Sequence, residues 1–353
     1  IGLGIPAEPL FRSSVLMPVL NKVKFFDSTL RDGSHAVKQK IYPKNIEAYC
    51  KRIDDAGMHT VIVGHGNGLG ASSVQMGLCA IDEIEMLRIA KKNLRHTKLG
   101  TFVTVGFGTI KEHIVPAIQA GTEVFCIATH CTEADTMRKH LEYLGNVGKE
   151  SYGVLMNIHL VTAEKLLEQA KCIQEYGADG IILMDSAGAS TPEDVRKKVS
   201  LLYDKLSIEV GFHAHNNLGM AVSNAYTAIQ NGASIIDGTV GGFGAGAGNC
   251  QLEALLALLM KENILTDAKL YPMLDAQKEI INDMFHYDKG VNSTCIVSGY
   301  AGVVSTFKNR VEQIAQDYKL DARDIFVELG KRKAIAGQDD LILEVAQFLV
   351  NKK

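Results

Sequence analysis

The sequence lacks the features of membrane-spanning, disulfide-stabilised and nucleic-acid-binding proteins. No uninterrupted apolar run approaches the roughly 20 residues that a helix needs to cross a bilayer. The seven cysteines are odd in number and include no C-x-x-C pair, which favours free thiols in a reducing cytosol over a disulfide framework. The net charge of −3 gives no indication of nucleic acid or an anionic membrane as a partner. We therefore expect a cytoplasmic protein that acts on small molecules.

The length and composition predict one large domain with an appendage. The chain has 353 residues, of which 46% are apolar and 22% charged. Residues 1–16 contain prolines and no periodic pattern, so we interpret them as a leader or tag-like extension. We predict a catalytic barrel domain over residues 17–266 and a C-terminal helical domain over residues 267–353.

Short apolar runs alternate with amphipathic stretches at intervals of about 30 residues from residue 22 to about 265. This pattern is typical of parallel βα units, and eight of them predict a closed (β/α)8 TIM barrel of the α/β class. The predicted strands are Val23–Asp27, Thr60–Gly64, Lys98–Thr104, Glu123–Ala128, Gly153–His159, Gly180–Asp185, Glu209–His213 and Ile235–Thr239.

Polar side chains recur where the predicted strands end, and active sites of such barrels lie at this C-terminal rim. Two of these groups stand out. Asp32 lies in the loop after the first strand, and His213 and His215 close the seventh. The others are His65, His130, His159 and Asp185. We expect the last three to line the pocket or hold it by hydrogen bonds.

Asp32, His213 and His215 form a candidate site for a divalent metal. Residues i and i+2 of a strand point the same way, so the two imidazoles can bind one ion together. Two histidines and a carboxylate leave coordination positions open for a substrate. Arg31 adds a fixed cation, and His35 adds a group that exchanges a proton near neutral pH. This set suits enolate chemistry on a small keto acid, with Arg31 and His35 as catalytic residues.

A glycine-rich run, residues 238–249, follows the eighth strand. It is not a dinucleotide fingerprint, which would follow the first strand. Two interpretations remain open: a phosphate site, as barrels often have here, or a loop that passes close over the metal. Asn249 is a candidate for supporting the metal ligands.

Four segments resemble the 4-hydroxy-2-oxovalerate aldolase family, class II pyruvate aldolases within a metallolyase superfamily that includes isopropylmalate synthase and hydroxymethylglutaryl-CoA lyase. The segments are Asp27–Ala36, Ala128–Asp135, His213–Leu218 and Gly244–Asn249, and the similarity extends to Ser298–Val303 and Val327–Gly330 near the C-terminus. The Ser34-His35-Ala36 extension of the first segment favours the aldolase branch over the synthases.

The resemblance implies cleavage of a 4-hydroxy-2-oxo acid to pyruvate and an aldehyde through a metal-bound pyruvate enolate. It implies that Asp32, His213 and His215 bind the ion, usually manganese, with magnesium, cobalt or zinc as other candidates. It also implies that Arg31 steadies the enolate and that His35 moves the proton of the 4-hydroxyl. An acylating aldehyde dehydrogenase is the implied partner in aromatic-hydrocarbon catabolism, and we expect an oligomer.

The chain departs from the family pattern in the aldehyde pocket. Val304 stands where the family has a tyrosine that works with the catalytic histidine, and Phe102 and Thr104 stand on a third strand that is leucine-rich in the family. Ala336-Gly337 replaces a paired glycine near the aldehyde channel. We assign Phe102, Thr104, Asp185 and Val304 to the substrate pocket.

Three other functions are compatible with these residues. A Claisen-type synthase or lyase would keep the enolate and use an acyl-CoA as its partner. A non-catalytic scaffold for a dehydrogenase would keep the metal site without turnover. The ligand types alone also fit a non-haem iron oxygenase, although the barrel and Arg31 argue against it.

Overall fold

A computed structural model describes residues 22–278 and 290–352. Eight parallel strands close into a barrel in the order β1 to β8, with β8 hydrogen-bonded to β1. The TIM-barrel prediction is therefore confirmed. The strands are β1 Lys24–Asp27, β2 Thr60–Ile62, β3 Lys98–Thr104, β4 Val124–His130, β5 Glu150–Met156, β6 Gly180–Asp185, β7 Glu209–Ala214 and β8 Ile235–Gly238.

Helices surround the barrel, one or more after each strand. They are α1 Pro43–Ile53, α2 Glu83–Asn93, α3 Val115–Gln119, α4 Arg138–Asn146, α5 Ala163–Glu175, α6 Pro192–Lys205, α7 Ala221–Gln230, α8 Leu252–Lys261 and α9 Leu270–Ala276. Local capping accounts for several starts. Thr191 caps α6 with a reciprocal capping box to Asp194, and Pro192 occupies the first helical turn.

The fifth strand lies three residues earlier than predicted. It spans Glu150–Met156, whereas we expected Gly153–His159. Asn157 adopts a left-handed backbone (φ +59°), which ends the strand and begins a short 3-10 turn. His159 consequently lies in that turn, beyond the end of the strand.

Two apolar layers hold the barrel together. Phe26, Phe102, Tyr152 and Met184 belong to a cluster that fills the barrel interior. A larger cluster lies between the strands and the helices. This interior is packed with side chains, so the barrel is a core and not a pore.

The C-terminal region is helical, as predicted, and has its own core. Its helices are α10 Ser293–Ala301, α11 Lys308–Tyr318, α12 Ala322–Lys331 and α13 Asp339–Lys352. Val311, Phe326 and Val345 are buried in this core. Helix α9 lies within the predicted C-terminal domain, but its Met273 and Ala276 pack into the barrel core. This packing favours a domain boundary after α9. The proposed leader, residues 1–16, lies outside the described residues.

The seven cysteines all lie among the described residues and form no disulfide there. Within residues 22–278 and 290–352, no helix is both long enough and apolar enough to cross a membrane.

Candidate active site

The structure brings Asp32, His213 and His215 together at the C-terminal rim of the barrel. One ligand atom from each of these side chains lies within 4.8 Å of the others. All three residues are buried, between 0% and 5% exposed. Asp32 begins a short 3-10 turn after β1, and the two histidines come from β7 and the residue after it. The barrel closure between β1 and β8 is what makes these distant segments neighbours.

The donor set fits a divalent cation. The Nε2 of His213 and the Nδ1 of His215 are buried, with no hydrogen-bond partner among the described residues. Nε2 of His215 lies 4.0 Å from Oδ2 of Asp32. Buried polar atoms normally have partners, so buried imidazole nitrogens without one, in two rings that converge on Asp32, indicate a bound group. Two imidazole nitrogens and a carboxylate oxygen suit manganese, iron, cobalt or zinc.

Asp237 on β8 orients His213, and sequence analysis missed it. Its Oδ2 lies 2.9 Å from Nδ1 of His213, without hydrogen-bond geometry between the two atoms, and this contact favours Nε2 as the ligand atom. Its Oδ1 accepts a hydrogen bond of 2.6 Å from Ser28 Oγ. Histidine ligands commonly have such a carboxylate behind them, which fixes the tautomer and raises the basicity of the ring. His213 and Asp237 are register partners on β7 and β8, and a lone acid in the apolar strand was the available signal.

The glycine-rich loop passes directly over Asp32. The Oδ1 of Asp32 accepts from Asn249 Nδ2 at 2.8 Å and from the Ala245 amide at 3.2 Å. A Cβ at Gly244 would lie 2.1 Å from Asn249 Nδ2 and 2.7 Å from Asp32 Oδ1. The second interpretation of this run, a close approach to the metal site, is thus the one the geometry favours, with Asn249 in the supporting position we expected.

Arg31 is fixed beside Asp32 with one face on an aromatic ring. Its Nη1 donates to Asp32 Oδ2 at 2.8 Å, and its guanidinium carbon lies 4.3 Å from the centre of the Phe102 ring. The guanidinium is 3% exposed. Burial raises the pKa of Asp32, but Arg31 and the facing imidazoles outweigh it and hold that pKa well below its usual range. Asp32 is therefore ionised and able to bind a cation.

The two imidazoles nearest this carboxylate remain neutral. Burial lowers the pKa of His215 to about 3, and the neighbouring His213 and Arg31 act in the same direction. Burial also lowers the pKa of His35 below its ordinary value. Neutral imidazole is the form that binds metals and accepts protons.

A cavity of about 60 Å³ lies over these groups and includes three of the four predicted pocket residues. Phe102 and Thr104 line it from β3, and Val304 lines it from the C-terminal domain. The remaining lining residues are Arg31, Asp32, His35, Gly66, Asn67, Met156, Asn157, Met184, Ser186, His215, Thr306 and Ala336. The C-terminal domain therefore supplies part of the wall, which the sequence indicated only through the family resemblance.

Asp185 is not part of this lining, which corrects our pocket assignment. It is fully buried, and its carboxylate accepts from the Ala189 and Ser190 amides at 3.1 Å each. It therefore holds the loop after β6 in place. An acid at the end of a strand can serve the loop as well as the site, and the strand pattern alone does not separate the two.

The other rim histidines also have structural partners. His65 Nε2 is 2.9 Å from the Gly77 carbonyl, and His159 Nε2 is 2.9 Å from the Gly302 carbonyl. His130 Nδ1 is 2.8 Å from Thr132 Oγ1. For His130 and His159 these contacts fit the scaffolding alternative, and the contact from His159 joins the barrel to the C-terminal domain.

Fold and site together define a class: a (β/α)8 barrel with a two-histidine, one-aspartate set for a divalent cation at its C-terminal rim. Comparison with known proteins gives the family. The HMGL-like family profile matches residues 22–280, and a profile described as a DmpG-like communication domain matches residues 289–351. The chain belongs to the HMGL-like family and, within it, to the 4-hydroxy-2-oxovalerate aldolases.

Curated relatives support this assignment over nearly the whole chain. A 4-hydroxy-2-oxovalerate aldolase from Spirochaeta aurantia is 47% identical over 92% of this chain and 96% of its own length. One from Pectobacterium atrosepticum is 44% identical over 94% of this chain and 96% of its own length.

Solved structures show the same fold at lower identity. The carboxyl transferase domain of Rhizobium etli pyruvate carboxylase superposes with a TM-score of 0.78 at 14% identity, covering 94% of this chain and 60% of that one. The N-terminal domain of a putative aldolase from Bacteroides vulgatus gives a TM-score of 0.71 at 22% identity, covering 84% and 98%. These similarities concern the fold alone.

Proposed function

We propose that the protein is a divalent-metal-dependent aldolase that cleaves a 4-hydroxy-2-oxo acid to pyruvate and an aldehyde. The observation that carries the proposal is the buried set Asp32, His213 and His215, whose ligand atoms lie within 4.8 Å of one another beside Arg31. The curated relatives that share nearly the whole chain carry the name of this activity. The cleavage is a carbon–carbon lyase reaction.

Asp32, His213 and His215 would hold the ion. When bound, it would supply a Lewis acid that polarises the keto group of the substrate, a contribution of several kcal/mol to charge stabilisation. Manganese is our first choice of metal on family grounds, and the nitrogen–oxygen donor set also accepts cobalt, zinc or magnesium.

Arg31 is placed to stabilise negative charge on the substrate. Asp32 and Phe102 fix its guanidinium, and its Nε is buried with no partner among the described residues. A donor already fixed in a site with little water stabilises developing charge without reorganisation. We assign it to the oxygen that becomes negative when the C3–C4 bond breaks.

His35 is the candidate for proton transfer at the 4-hydroxyl. It lines the cavity together with Asp32 and Arg31, and burial lowers its pKa so that the ring is neutral at pH 7. A neutral imidazole is the form that can accept the hydroxyl proton as the bond to C3 breaks. The aldehyde would then occupy the side lined by Phe102, Thr104 and Val304.

The C-terminal domain supports a partner proposal. Its profile is described as a communication domain, and we propose that it contacts an acylating aldehyde dehydrogenase that receives the aldehyde. A second cavity of about 330 Å³ adjoins the first and shares His35, Thr104, Thr306 and Ala336 with it. It lies between the site and the C-terminal domain, where an aldehyde would leave. We further propose that the protein functions in the cytoplasm as an oligomer.

Pyruvate release from a series of 4-hydroxy-2-oxo acids of increasing chain length tests the proposal. We expect turnover of at least one member, loss of activity after chelation, and recovery on addition of Mn²⁺. A parallel incubation of pyruvate with acetyl-CoA, monitored for free thiol, tests the Claisen alternative. Turnover that continues unchanged in chelator, or thiol release without aldol cleavage, would contradict the proposal.

A further inference from the structure

Gln39 lies next to His35, and its backbone has a conformation that residues other than glycine rarely adopt. It follows the 3-10 turn Asp32–Val37, and both Lys38 (φ +51°) and Gln39 (φ +64°) are in the left-handed region. Its side chain is buried, with the residue 5% exposed. Two consecutive non-glycine residues in this region are a strained arrangement, and such strain persists where the surroundings enforce it.

The orientation of the Gln39 amide is determined by its neighbours. Its Oε1 accepts from the Gly66 backbone amide at 2.9 Å and lies 2.5 Å from Ser34 Oγ. A backbone N–H can only donate, so the atom facing Gly66 must be the oxygen. Turning the amide over would place two donors face to face and leave the Gly66 N–H without an acceptor.

The other end of the same amide therefore faces His35 as a donor. Gln39 Nε2 lies 3.3 Å from Nδ1 of His35. Because the NH2 group donates, Nδ1 must accept with its lone pair, and the proton of the neutral ring is on Nε2.

The Gly66 backbone also limits where the ring can lie. A Cβ at Gly66 would lie 2.5 Å from His35 Nε2, so this edge of the ring packs against the Gly66 backbone. The contact restrains the position of the ring, and the tautomer follows from the contact with Gln39.

We infer that Gln39 is a positioning residue that holds His35 in the tautomer with its proton on Nε2, and the catalytic meaning of this inference rests on the aldolase function proposed above. In this tautomer the lone pair of the ring is on Nδ1. A proton from the substrate hydroxyl would therefore be accepted at Nδ1, in place of the hydrogen bond from Gln39, and would give the imidazolium. The family pattern assigns a tyrosine to work with this histidine, and Val304 stands there in this chain. Gln39 supplies a polar partner from the other side.

Ring ¹⁵N spectra of the full-length protein, labelled in its histidines and loaded with diamagnetic Mg²⁺, test the inference directly. Protonated and unprotonated ring nitrogens give well-separated resonances, and a His35→Asn variant assigns the signal of His35 by its loss. At pH 8 we expect Nε2 protonated and Nδ1 unprotonated in the wild type. In Gln39→Glu the carboxylate can accept from both Gly66 and the ring, so we expect the proton to move to Nδ1.

Gln75→Glu is the matched control. Gln75 lines a cavity next to His35, so Gln75→Glu adds the same negative charge there as Gln39→Glu does. Among the described residues, the hydrogen bond to the ring comes from Gln39 and not from Gln75. The control should leave the tautomer unchanged. A wild-type ring protonated on Nδ1, or a Gln39→Glu ring that keeps its proton on Nε2, would overturn the inference.

Kinetics provide a second readout and separate this inference from the proposed function. For Gln39→Leu we expect kcat for pyruvate release to fall about tenfold or more, with KM changed less than twofold, because proton transfer depends on the tautomer and keto-acid binding does not. A rise in KM as large as the fall in kcat would indicate a general structural role and would overturn the positioning assignment. If the wild type shows the expected tautomer but cleaves no 4-hydroxy-2-oxo acid, the inference about Gln39 stands and the aldolase proposal fails.

Discussion

Replacing Asp237 with asparagine should weaken metal binding while leaving all three ligands in place. Asp237 Oδ2 lies 2.9 Å from His213 Nδ1, and its Oδ1 accepts from Ser28. An amide of the same shape can accept from His213 only if its NH2 turns toward Ser28. In either orientation it carries no charge to raise the basicity of the imidazole.

The size of this effect follows from the position of Asp237 behind the ligand. Losing a carboxylate that supports a metal ligand typically costs 10- to 100-fold in metal affinity, which corresponds to about 1.4–2.7 kcal/mol. We expect the upper part of this range, because Asp237 is 2% exposed and His213 is 0% exposed, so bulk solvent does not replace the lost carboxylate.

Calorimetric titration of the metal-free protein with Mn²⁺ measures this change, and Asp179→Asn is the matched control. Asp179 is an exposed acid at the opposite end of the barrel, where it accepts from the Ser151 amide at 2.8 Å. The control should bind Mn²⁺ as the wild type does. A folded Asp237→Asn variant with a dissociation constant within twofold of the wild type would refute the assignment of Asp237, and with it the orientation proposed for His213.

Three further predictions concern the pocket, the pH profile and stability. Phe102→Ala removes the ring under the Arg31 guanidinium, a contact of about 1–2 kcal/mol, so kcat/KM for pyruvate release should fall roughly tenfold; an unchanged value would contradict the role of Arg31. The His35 pKa is lowered by burial and activity needs the neutral ring, so kcat/KM should stay level from pH 8 to 6.5 and decline only below that; a decline centred above pH 7 would count against His35 as the base. Burial raises the pKa of Glu83 to about 7, so the folded protein binds an extra proton between its unfolded pKa and pH 7, and this stabilisation is lost as pH rises through 7. In urea unfolding, the free energy of unfolding of the wild type should fall by up to about 3 kcal/mol relative to that of Glu83→Gln between pH 4.5 and 8. If the two free energies change with pH in the same way, Glu83 is not a buried carboxyl with a raised pKa.

The barrel could be predicted from the sequence because each of its eight units repeats one simple pattern. Strand positions were accurate to a few residues, and the largest error was at β5, where Asn157 ends the strand through a left-handed backbone. That conformation depends on the loop packing, which periodicity does not show. Helix α10 is hard to predict from the sequence, because Ser293–Ala301 has no charged residue to mark an exposed face.

The ligands of the candidate site could be predicted because their spacing along the chain determines which way their side chains point. Two histidines at i and i+2 on a strand point the same way whatever the rest of the fold does. Asp237 and Gln39 could not be found this way. Asp237 acquires its role only when β8 aligns it with His213, and Gln39 only when the chain turns back under His35.

Asp237 and Gln39 were not found from the sequence, whereas Asp185 was assigned to the pocket and has its contacts in a loop. An acid at the end of a strand on the active-site rim was assigned to the pocket, but its oxygens are taken up by the Ala189 and Ser190 amides. Tight loops after barrel strands leave backbone amides that need acceptors, and a buried carboxylate can satisfy two of them. Only the hydrogen-bond partners distinguish such a residue from one that faces the substrate.

The most direct test is to locate the ion itself. A crystal of the protein grown with Mn²⁺ and pyruvate should show one strong anomalous peak per chain at the rim, about 2.0–2.4 Å from Asp32 and from both imidazoles. Pyruvate should bind on its open side next to Arg31. A Mn²⁺ peak elsewhere in the molecule, with Asp32, His213 and His215 left without an ion, would contradict the account.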